Sequence, residues 1–275
     1  MQHRSFLPLA AVATTLVFWS SAFVAIRHLA DDFSPGALSL GRLLVGATVL
    51  GAVALRRGVP RPTARQWRSI VVIGLLWFGF YNVALNAGEH RVDAGTAAML
   101  IQVSPILIAV LAATFLGERF TPALAAGLLL AFAGVALIGL STSGDGGSAR
   151  DLLGVALVLA AALAYSISLV LQKPLVARLS AVHVTWLACS VGAVACLPWA
   201  GELIGQVREA PASSTWWLVY LGVFPTALAF TTYAYALRHM SASSLGVTTY
   251  LVPPLTIVMG LVLLDEAPAP AASAR

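Results

Sequence analysis

Apolar runs long enough to cross a bilayer dominate this sequence of 275 residues. A helix needs about 20 apolar residues to cross a hydrocarbon core of roughly 30 Å, and charged or Pro/Gly-rich breaks divide the chain into runs of that size. Only 10% of the residues are charged and 59% are hydrophobic, more apolar side chains than a soluble core could bury. The pattern predicts an all-α, polytopic membrane protein with nine transmembrane helices, near residues 6–26, 36–55, 68–87, 95–116, 122–141, 152–172, 182–199, 215–236 and 243–264.

The basic residues indicate the orientation of the chain. Alternate loops divide them into ten on one side of the membrane and five on the other, with Arg42 inside a span, which accounts for all 16. Because cytoplasmic loops carry the excess of positive charge, we expect a multi-pass protein of the cell inner membrane with a cytoplasmic N-terminus. The loop from Arg56 to Arg68 holds five of the ten. These loops explain the net charge of +5, so nucleic acid is not expected as a partner.

The first apolar run, Ser5–Ile26, could be a cleaved signal peptide or a first transmembrane helix. It is long, lacks an Ala-x-Ala site before its charged end and is followed by further spans, which favours the helix. Cys189 and Cys196 lie seven residues apart in one predicted helix. Their separation of about 10 Å along the axis is too large for a disulfide. We expect both to be small apolar packing residues.

The two halves of the sequence share an ordered series of short matches. At an offset of 146 residues, Trp19-Ser20 matches Tyr165-Ser166 and Ser34 matches Ser180. At an offset of 149, the set Asn82, Asn86, Ala87, His90, Pro105 matches Thr231, Tyr235, Ala236, His239, Pro254. At an offset of 148, Leu116-Gly117-Glu118 matches Leu264-Asp265-Glu266. Because five helices per copy is an odd number, the second copy would enter the membrane from the opposite side. The matches therefore predict an inverted repeat with a substrate site between its halves.

The same residues carry a resemblance to a known family. The chain resembles the ten-helix drug/metabolite transporters with paired EamA domains, a family of amino-acid and metabolite exporters. The resemblance implies a first repeat at residues 1–142 and a second at 151–275, which would give alternating access by moving against each other in the lipid bilayer. It also implies that the cargo is a small metabolite, an amino acid or a drug and that the direction is export. Its marks are Phe18-Trp19-Ser20-Ser21, Arg42-Leu43-Leu44, Ser104-Pro105, Leu116-Gly117-Glu118 with Pro122, and Pro253-Pro254 followed by Asp265-Glu266.

The second repeat departs from the family at its end. A fifth helix follows Leu116-Gly117-Glu118, whereas only residues 267–275 follow Asp265-Glu266, too few to span a bilayer. The chain is thus expected to lack the tenth helix, and a homodimer could cover the exposed face. Two alternatives to a working transporter stay open: an inactive truncated transporter, and a non-transporting membrane receptor or assembly protein.

Polar and aromatic side chains inside the predicted spans are candidate substrate-binding residues, since an uncompensated polar group is costly in lipid. The pairs 82/86 and 231/235 are both spaced i, i+4, so each predicts a polar stripe on one helix face. Alternatively, such groups only hydrogen-bond to neighbouring helices. The candidates are Trp19, Ser20, Tyr81, Asn82, Asn86, Gln102, Tyr165, Ser168, Thr231, Tyr235 and Tyr250.

Arg42 is a further candidate, because it is the ionisable residue placed well within a span. A charge there is expensive unless it is partnered or reaches water, so Arg42 could hold a substrate carboxylate. The alternative is that it binds helix-end carbonyl groups and stabilises the fold.

Prolines are predicted in the middle of the fourth and ninth helices. Pro105, Pro253 and Pro254 would each free a carbonyl group four residues back, which could bind substrate or act as a hinge. A passive packing kink is the alternative. Glu118, which is followed by Thr121 and Pro122, is expected to cap the start of the fifth helix.

The sequence does not indicate an enzyme. The five histidines lie near loops and span ends, and the zinc spacing His-Glu-x-x-His, the Gly-x-Ser-x-Gly elbow and the Walker loop are all missing from the sequence. We therefore expect no metal and no cofactor. Since Asp and Glu fall outside the predicted spans, the sequence also gives no sign of a coupling ion.

Overall fold

The computed structural model describes residues 6–58, 61–89, 91, 100–119, 121–142 and 152–264. Within these ranges every regular element is a helix and no strand is present. Two π-helical segments, Gly74–Phe80 and Gly222–Leu228, each join two α-helices. The α-helices are α1 Leu7–Leu29, α2 Pro35–Arg56, α3 Ala64–Ile73, α4 Tyr81–Glu89, α5 Ser104–Leu116, α6 Pro122–Thr142, α7 Leu152–Val176, α8 Ala181–Ala195, α9 Ala200–Glu209, α10 Ala212–Leu221, α11 Ala229–His239, α12 Ala242–Thr248 and α13 Val252–Leu264.

Six stretches of the described chain are long and apolar enough to cross a membrane, and the bent pair α8 and α9 would make a seventh. Each of the six overlaps a helix predicted from the sequence. The all-helical, multi-pass fold is therefore confirmed, whereas the number nine stays a prediction. The six stretches are Leu7–Ile26, Pro35–Arg56, Ala64–Gly88, Leu152–Val176, Ala212–His239 and Ala242–Met259.

The predicted helix 182–199 is wrong at its C-terminal end. Helix α8 ends at Ala195, a 3₁₀ turn covers Leu197–Trp199, and α9 leaves at an angle of 55°. Pro198 has no backbone N–H and therefore interrupts the helical hydrogen bonds.

Helix α9 then contacts the start of α2. The Ser34 hydroxyl donates to Glu202 Oε2 at 2.5 Å, and the Ser34 backbone N–H donates to Gln206 Oε1 at 3.0 Å. The bend thus places a polar helix across one end of the bundle.

Side-chain caps begin several helices, two of them at the helix starts that the predicted repeat pairs with each other. Ser34 accepts the N–H of Ala37 at the start of α2, and Ser180 accepts the N–H of His183 at the start of α8. Such caps satisfy backbone donors that a helix cannot satisfy internally. The predicted cap of the fifth helix is wrong, because Thr121 rather than Glu118 caps α6, accepting the N–H of Leu124 at 3.2 Å.

The two π-helical segments occupy equivalent places in the two halves. Each has seven residues and begins with glycine, and the segments are offset by 148 residues throughout. A Cβ added at Gly74 would lie 2.6 Å from Val191, and one added at Gly222 would lie 2.4 Å from Val45. Only glycine therefore allows each segment to pack this closely on the helix of the other half.

Helix packing between the halves is reciprocal. Helix α1 packs on α11 and α13, while α7 packs on α4 and α5, and α2 packs on α8. Hydrogen bonds connect these pairs within the bundle: Thr15 Oγ1 lies 2.8 Å from Thr232 Oγ1, and Ser20 donates to the Val252 carbonyl at 3.2 Å. Each half thus buries its polar groups against the other.

The helical chain is interrupted directly before each of the predicted prolines, so each proline lies in the first turn of the helix after the break. Their role as hinges stays a prediction. Pro105 lies in the first turn of α5, after a turn at residues 102–103. Pro253 and Pro254 lie in the first turn of α13, after the 3₁₀ turn Thr249–Leu251. A proline costs little there, because first-turn N–H groups have no intrahelical partner.

Two of the carbonyl groups predicted to be freed by these prolines do have side-chain partners. The Ser104 hydroxyl donates to the Ile101 carbonyl at 2.7 Å, and Gln102 Nε2 donates to the Thr249 carbonyl at 3.4 Å. Both breaks are therefore stabilised by polar side chains from the start of α5.

Candidate functional site

A cavity inside the bundle is lined by residues of both halves. Its walls come mainly from α1 and α4, with three residues at or just before the start of α5 and single residues from α2, the first π-helical segment, α7, α11, the 3₁₀ turn Thr249–Leu251 and α13. No acidic residue is among the described residues that line it. The lining residues are Trp19, Ala22, Phe23, Ile26, Arg42, Trp77, Tyr81, Asn82, Leu85, Asn86, Ile101, Gln102, Ser104, Tyr165, Phe230, Thr249 and Val252.

The cavity is displaced toward one end of the bundle, which we call the Ser34 end because α1 ends and α2 begins there. All four lining residues of α1 belong to the second half of that helix. Helix α11 runs antiparallel to α1, and Lys173 contacts its last turn through the Leu237 carbonyl at 2.6 Å. The opposite end, which we call the Lys173 end, therefore contains the start of α1.

Four aromatic side chains form a wall between the cavity and the Lys173 end. Ring centroids are 5.0 Å apart for both Trp77–Tyr165 and Trp77–Phe230, and 5.4 Å apart for Trp19–Phe230. Behind this aromatic wall, the buried Tyr233 hydroxyl lies 2.6 Å from the Tyr165 hydroxyl. The rings meet at the tilted or edge angles that aromatic pairs prefer, and together they give the cavity an apolar aromatic surface.

Arg42 is the cation of the cavity and is only 5% exposed. Its Nε donates to Thr226 Oγ1 at 3.0 Å, and that hydroxyl donates to the Leu221 carbonyl at 2.8 Å. The five-residue spacing of the second bond belongs to the π-helical segment, which thereby positions the threonine. No acidic residue pairs with Arg42 in the described chain. A buried guanidinium without a counter-ion is expensive, so the site favours an anionic group.

Three carboxamides also line the cavity: Asn82 and Asn86 on α4, and Gln102 just before α5. Asn82 Nδ2 donates to the carbonyl groups of Trp77 and Phe78, at 3.2 and 2.8 Å. Asn86 Nδ2 lies 3.3 Å from Ser39 Oγ and 3.5 Å from the Pro35 carbonyl, at the start of α2. These contacts hold the amide groups in fixed positions on one face of α4.

Seven of the predicted binding residues line this cavity: Trp19, Arg42, Tyr81, Asn82, Asn86, Gln102 and Tyr165. The i, i+4 stripe of asparagines on α4 is thus part of the cavity wall. A role of these residues in binding stays a prediction until transport is measured.

The other five predicted binding residues lie elsewhere. Ser20 and Ser168 are buried and donate to backbone carbonyl groups of Val252 and Ala164. The hydroxyl groups of Thr231 and Tyr250 are buried and have no hydrogen-bond partner among the described residues, and Tyr235 packs on His239 with ring centroids 4.4 Å apart. None of the five is among the residues that line the cavity.

The residues that sequence analysis missed come mostly from the π-helical segments and their neighbours. Trp77 and Thr226 lie inside the two segments. At the offset of 148 set by those segments, Asn82 corresponds to Phe230, not to Thr231. The one-residue difference in register moved the predicted polar stripe to the wrong face of α11. A repeat alignment anchored on Gly74 and Gly222 would have found Phe230.

Histidine, cysteine and acidic side chains do not form a candidate metal site here. In the described part of the chain, no three of them lie close enough to hold an ion. Cys189 and Cys196 are both buried and free, as expected from their spacing.

Comparison with known proteins identifies the family. A model of the EamA-like transporter family matches residues 7–140 and again residues 152–272. A crystal structure of a protein superposes with a TM-score of 0.78 at 25% identity, covering 98% of this chain and 91% of that one. That likeness extends over nearly the whole fold.

Two relatives have names that state a cargo. The "probable terminal-alkyne amino-acid exporter" of Streptantibioticus cattleyicolor is 39% identical over 262 residues, which cover 95% of this chain and 87% of that protein. The "aromatic amino acid exporter YddG" of Ancylobacter novellus is 28% identical over 260 residues, with 93% and 88% coverage. The family match spans both halves of the chain. This protein is a membrane transporter and belongs to the EamA-like transporter family.

Proposed function

We propose that this transporter exports amino acids by alternating access, with the cavity as its central binding site. The observation that carries the proposal is the buried Arg42 guanidinium, which lines the cavity without an acidic partner in the described chain. A carboxylate would neutralise it and could form two parallel hydrogen bonds with it. The aromatic wall would hold the amino-acid side chain. Both named relatives are described as amino-acid exporters, which supports this cargo.

The proposal includes two inverted repeats, residues 1–142 and 151–275. Support comes from the equivalent π-helical segments and from the reciprocal packing of α1 on α11 and α7 on α4. Movement of one repeat against the other would expose the cavity alternately at the two ends. The helix starts at Pro105 and at Pro253-Pro254, which flank the cavity, would serve as hinges.

The proposal also includes an inner-membrane location with a cytoplasmic N-terminus, based on the distribution of basic residues. The Ser34 end then faces outward. Because the cavity lies toward that end, we propose that this is the state from which cargo leaves. The aromatic wall would separate the cavity from the cytoplasm in this state.

Transport into everted membrane vesicles tests the proposal, using radiolabelled phenylalanine, leucine and alanine. We expect Arg42→Ala to lower kcat/KM by at least tenfold, because a hydrogen bond to a charged group contributes about 1.5–3 kcal/mol. The kcat/KM of Arg42→Lys should lie between that of Arg42→Ala and that of the unaltered protein, since lysine keeps the charge but loses the bond to Thr226. Arg56→Ala is the matched control, because Arg56 is exposed at the end of α2.

Each variant must reach the membrane at the level of the unaltered protein and melt in detergent within a few degrees of it. A normally folded Arg42→Ala protein with unchanged uptake would remove Arg42 from the site. Uptake of none of the three amino acids by the unaltered protein would contradict amino-acid export itself.

A further inference from the structure

The amide groups of the cavity have a shared polarity. Asn82, Asn86 and Gln102 each direct the NH2 group at the protein: at the Trp77 and Phe78 carbonyls, at Ser39 and the Pro35 carbonyl, and at the Thr249 carbonyl. All three side chains are buried and line the cavity. Both N–H donors of Asn82 and of Asn86, and one N–H donor of Gln102, are therefore used by the protein.

The orientation of these amides follows from the chemistry of their partners. A carbonyl oxygen can only accept a hydrogen bond, so turning an amide over would place two acceptors against each other. The Trp77 and Phe78 carbonyl groups belong to the first π-helical segment, and the Thr249 carbonyl lies four residues before Pro253, which has no N–H to offer it. Backbone irregularities thus supply acceptors that fix the amide groups.

The oxygen atoms of the three amides are left without a partner. In the described chain no hydrogen bond reaches Oδ1 of Asn82 or Asn86, or Oε1 of Gln102. These atoms are also not among the fully buried side-chain atoms that lack a partner, so they are open to the cavity. The cavity therefore presents three amide oxygen acceptors as well as the Arg42 guanidinium.

We infer that the oxygen atoms of Asn82, Asn86 and Gln102 form a subsite for a primary ammonium group, so that the cavity selects zwitterions over simple carboxylates. An ammonium group has three donors and no acceptor, which matches three carbonyl oxygens. Neutral amides bind it without the full charge of a carboxylate, which keeps the cargo releasable. The inference rests on the proposed function, because the carboxylate of the same molecule would occupy Arg42.

Equilibrium binding to the purified transporter in detergent tests the subsite. The probes are phenylalanine, leucine and alanine, each beside its deaminated acid and its decarboxylated amine; for phenylalanine these are 3-phenylpropanoate and phenethylamine. We expect each amino acid to bind at least about tenfold more tightly than either analogue, since each analogue loses one set of charge-assisted hydrogen bonds.

Variants assign that preference to the amide oxygens. Gln102→Met keeps the length of the side chain but removes the whole amide, including the N–H bond to the Thr249 carbonyl, and should weaken binding of the amino acids by about tenfold more than binding of the deaminated acids. Arg42→Ala should weaken both amino acids and deaminated acids. If Gln102→Met does not fold, Asn86→Leu provides the same comparison. The preference of the unaltered protein for amino acids over their analogues is measured without any variant.

The outcomes separate the two proposals. Equal binding of amino acids and deaminated acids would overturn the ammonium subsite while leaving carboxylate recognition by Arg42 intact. A Gln102→Met variant and an Asn86→Leu variant that both keep the full preference would also overturn it. If no amino acid binds the unaltered protein, the proposed function fails and the subsite fails with it.

Discussion

Glu118 holds the start of α12 through Ser243, whose backbone N–H and hydroxyl both donate to Glu118 Oε2, at 3.0 and 2.6 Å. The other carboxylate oxygen accepts the N–H of Ala242 at 2.6 Å. The carboxylate thus occupies a helix N-terminus, where the backbone leaves donors unsatisfied and the helix dipole favours negative charge. The loop between α5 and α6 is thereby fixed to the second half of the protein.

Lys173 completes this arrangement at the Lys173 end. Its ammonium group donates to the carbonyl groups of Leu237 and Met240, at the end of α11. A cation at a helix C-terminus is favourable for the same electrostatic reason that an anion is at the N-terminus. The turn between α11 and α12 is therefore held by two opposite charges from two other elements, Glu118 and Lys173.

We predict that Glu118→Ala lowers the free energy of unfolding by about 1–2 kcal/mol, the usual cost of losing a charged helix cap. Glu118→Gln should cost less, because it keeps acceptors but loses the charge. Melting in detergent measures both variants. Glu209→Ala serves as the control, because Glu209 is exposed on α9. Equal melting temperatures for Glu118→Ala and the control would show that the cap contributes nothing.

A second prediction concerns orientation. A cysteine placed at Ala64 should be protected from an impermeant thiol reagent in intact cells, whereas one at Ala212 should react, because the two exposed positions begin helices at opposite ends of the bundle. The background carries Cys189→Ala and Cys196→Ala. Thr63 is a poorer choice than Ala64, since Thr63 caps α3 in a capping box. Reaction at Ala64→Cys with protection at Ala212→Cys would reverse the proposed topology.

The third prediction concerns the close approach of the first π-helical segment to α8. In Gly74→Ala the new Cβ would lie 2.6 Å from Val191 and 2.7 Å from the Ala188 carbonyl oxygen. Overpacking of this kind costs about 1–3 kcal/mol, so the variant should melt earlier than the unaltered protein. Gly201→Ala is the matched control, because nothing lies within 4 Å of its added Cβ.

The control should be neutral or slightly stabilising, since alanine favours helix more than glycine does. If Gly74→Ala has the same melting temperature as Gly201→Ala, the first π-helical segment does not approach α8 as closely as the structure shows.

The sequence predicted what depends on local chemistry. Serines at Ser34 and Ser180 mark helix starts because their side chains cap exposed N–H groups, and the asparagine stripe follows from the helical period of α4. Most of the fold is predictable in this sense, since bilayer thickness sets the length of the apolar runs.

Other features depend on tertiary packing and could not be found this way. A π-helical segment gives no local sequence signal that could serve to align the two halves. The expected polar stripe was placed at Thr231 because the short matches around it run at an offset of 149 residues, whereas the two π-helical segments are offset by 148. The bend at Pro198 and the cap that Glu118 gives to Ser243 join elements distant in sequence. Periodicity cannot show which helix end a glutamate reaches across the bundle.

The last prediction concerns the hydroxyl pair behind the aromatic wall. Tyr165 and Tyr233 are buried, their oxygen atoms lie 2.6 Å apart, and neither hydroxyl has another partner in the described chain. Tyr165→Phe and Tyr233→Phe should each cost about 1–3 kcal/mol, because each leaves the other hydroxyl buried and unsatisfied. The double variant should cost less than the sum, since it removes both polar groups.

A double-mutant cycle by detergent melting measures this coupling, with vesicle uptake recorded for every variant. Tyr235→Phe is the control, because Tyr235 lies away from the cavity and its hydroxyl has no hydrogen bond in the described chain; it should change stability by less than about 0.5 kcal/mol. Strictly additive losses for Tyr165→Phe and Tyr233→Phe would mean that the two hydroxyls do not bond to each other. Tyr165 lines the cavity, whereas Tyr233 lies behind the aromatic wall. A larger loss of uptake in Tyr165→Phe than in Tyr233→Phe would therefore indicate that the Tyr165 hydroxyl contacts the cargo as well as supporting the wall.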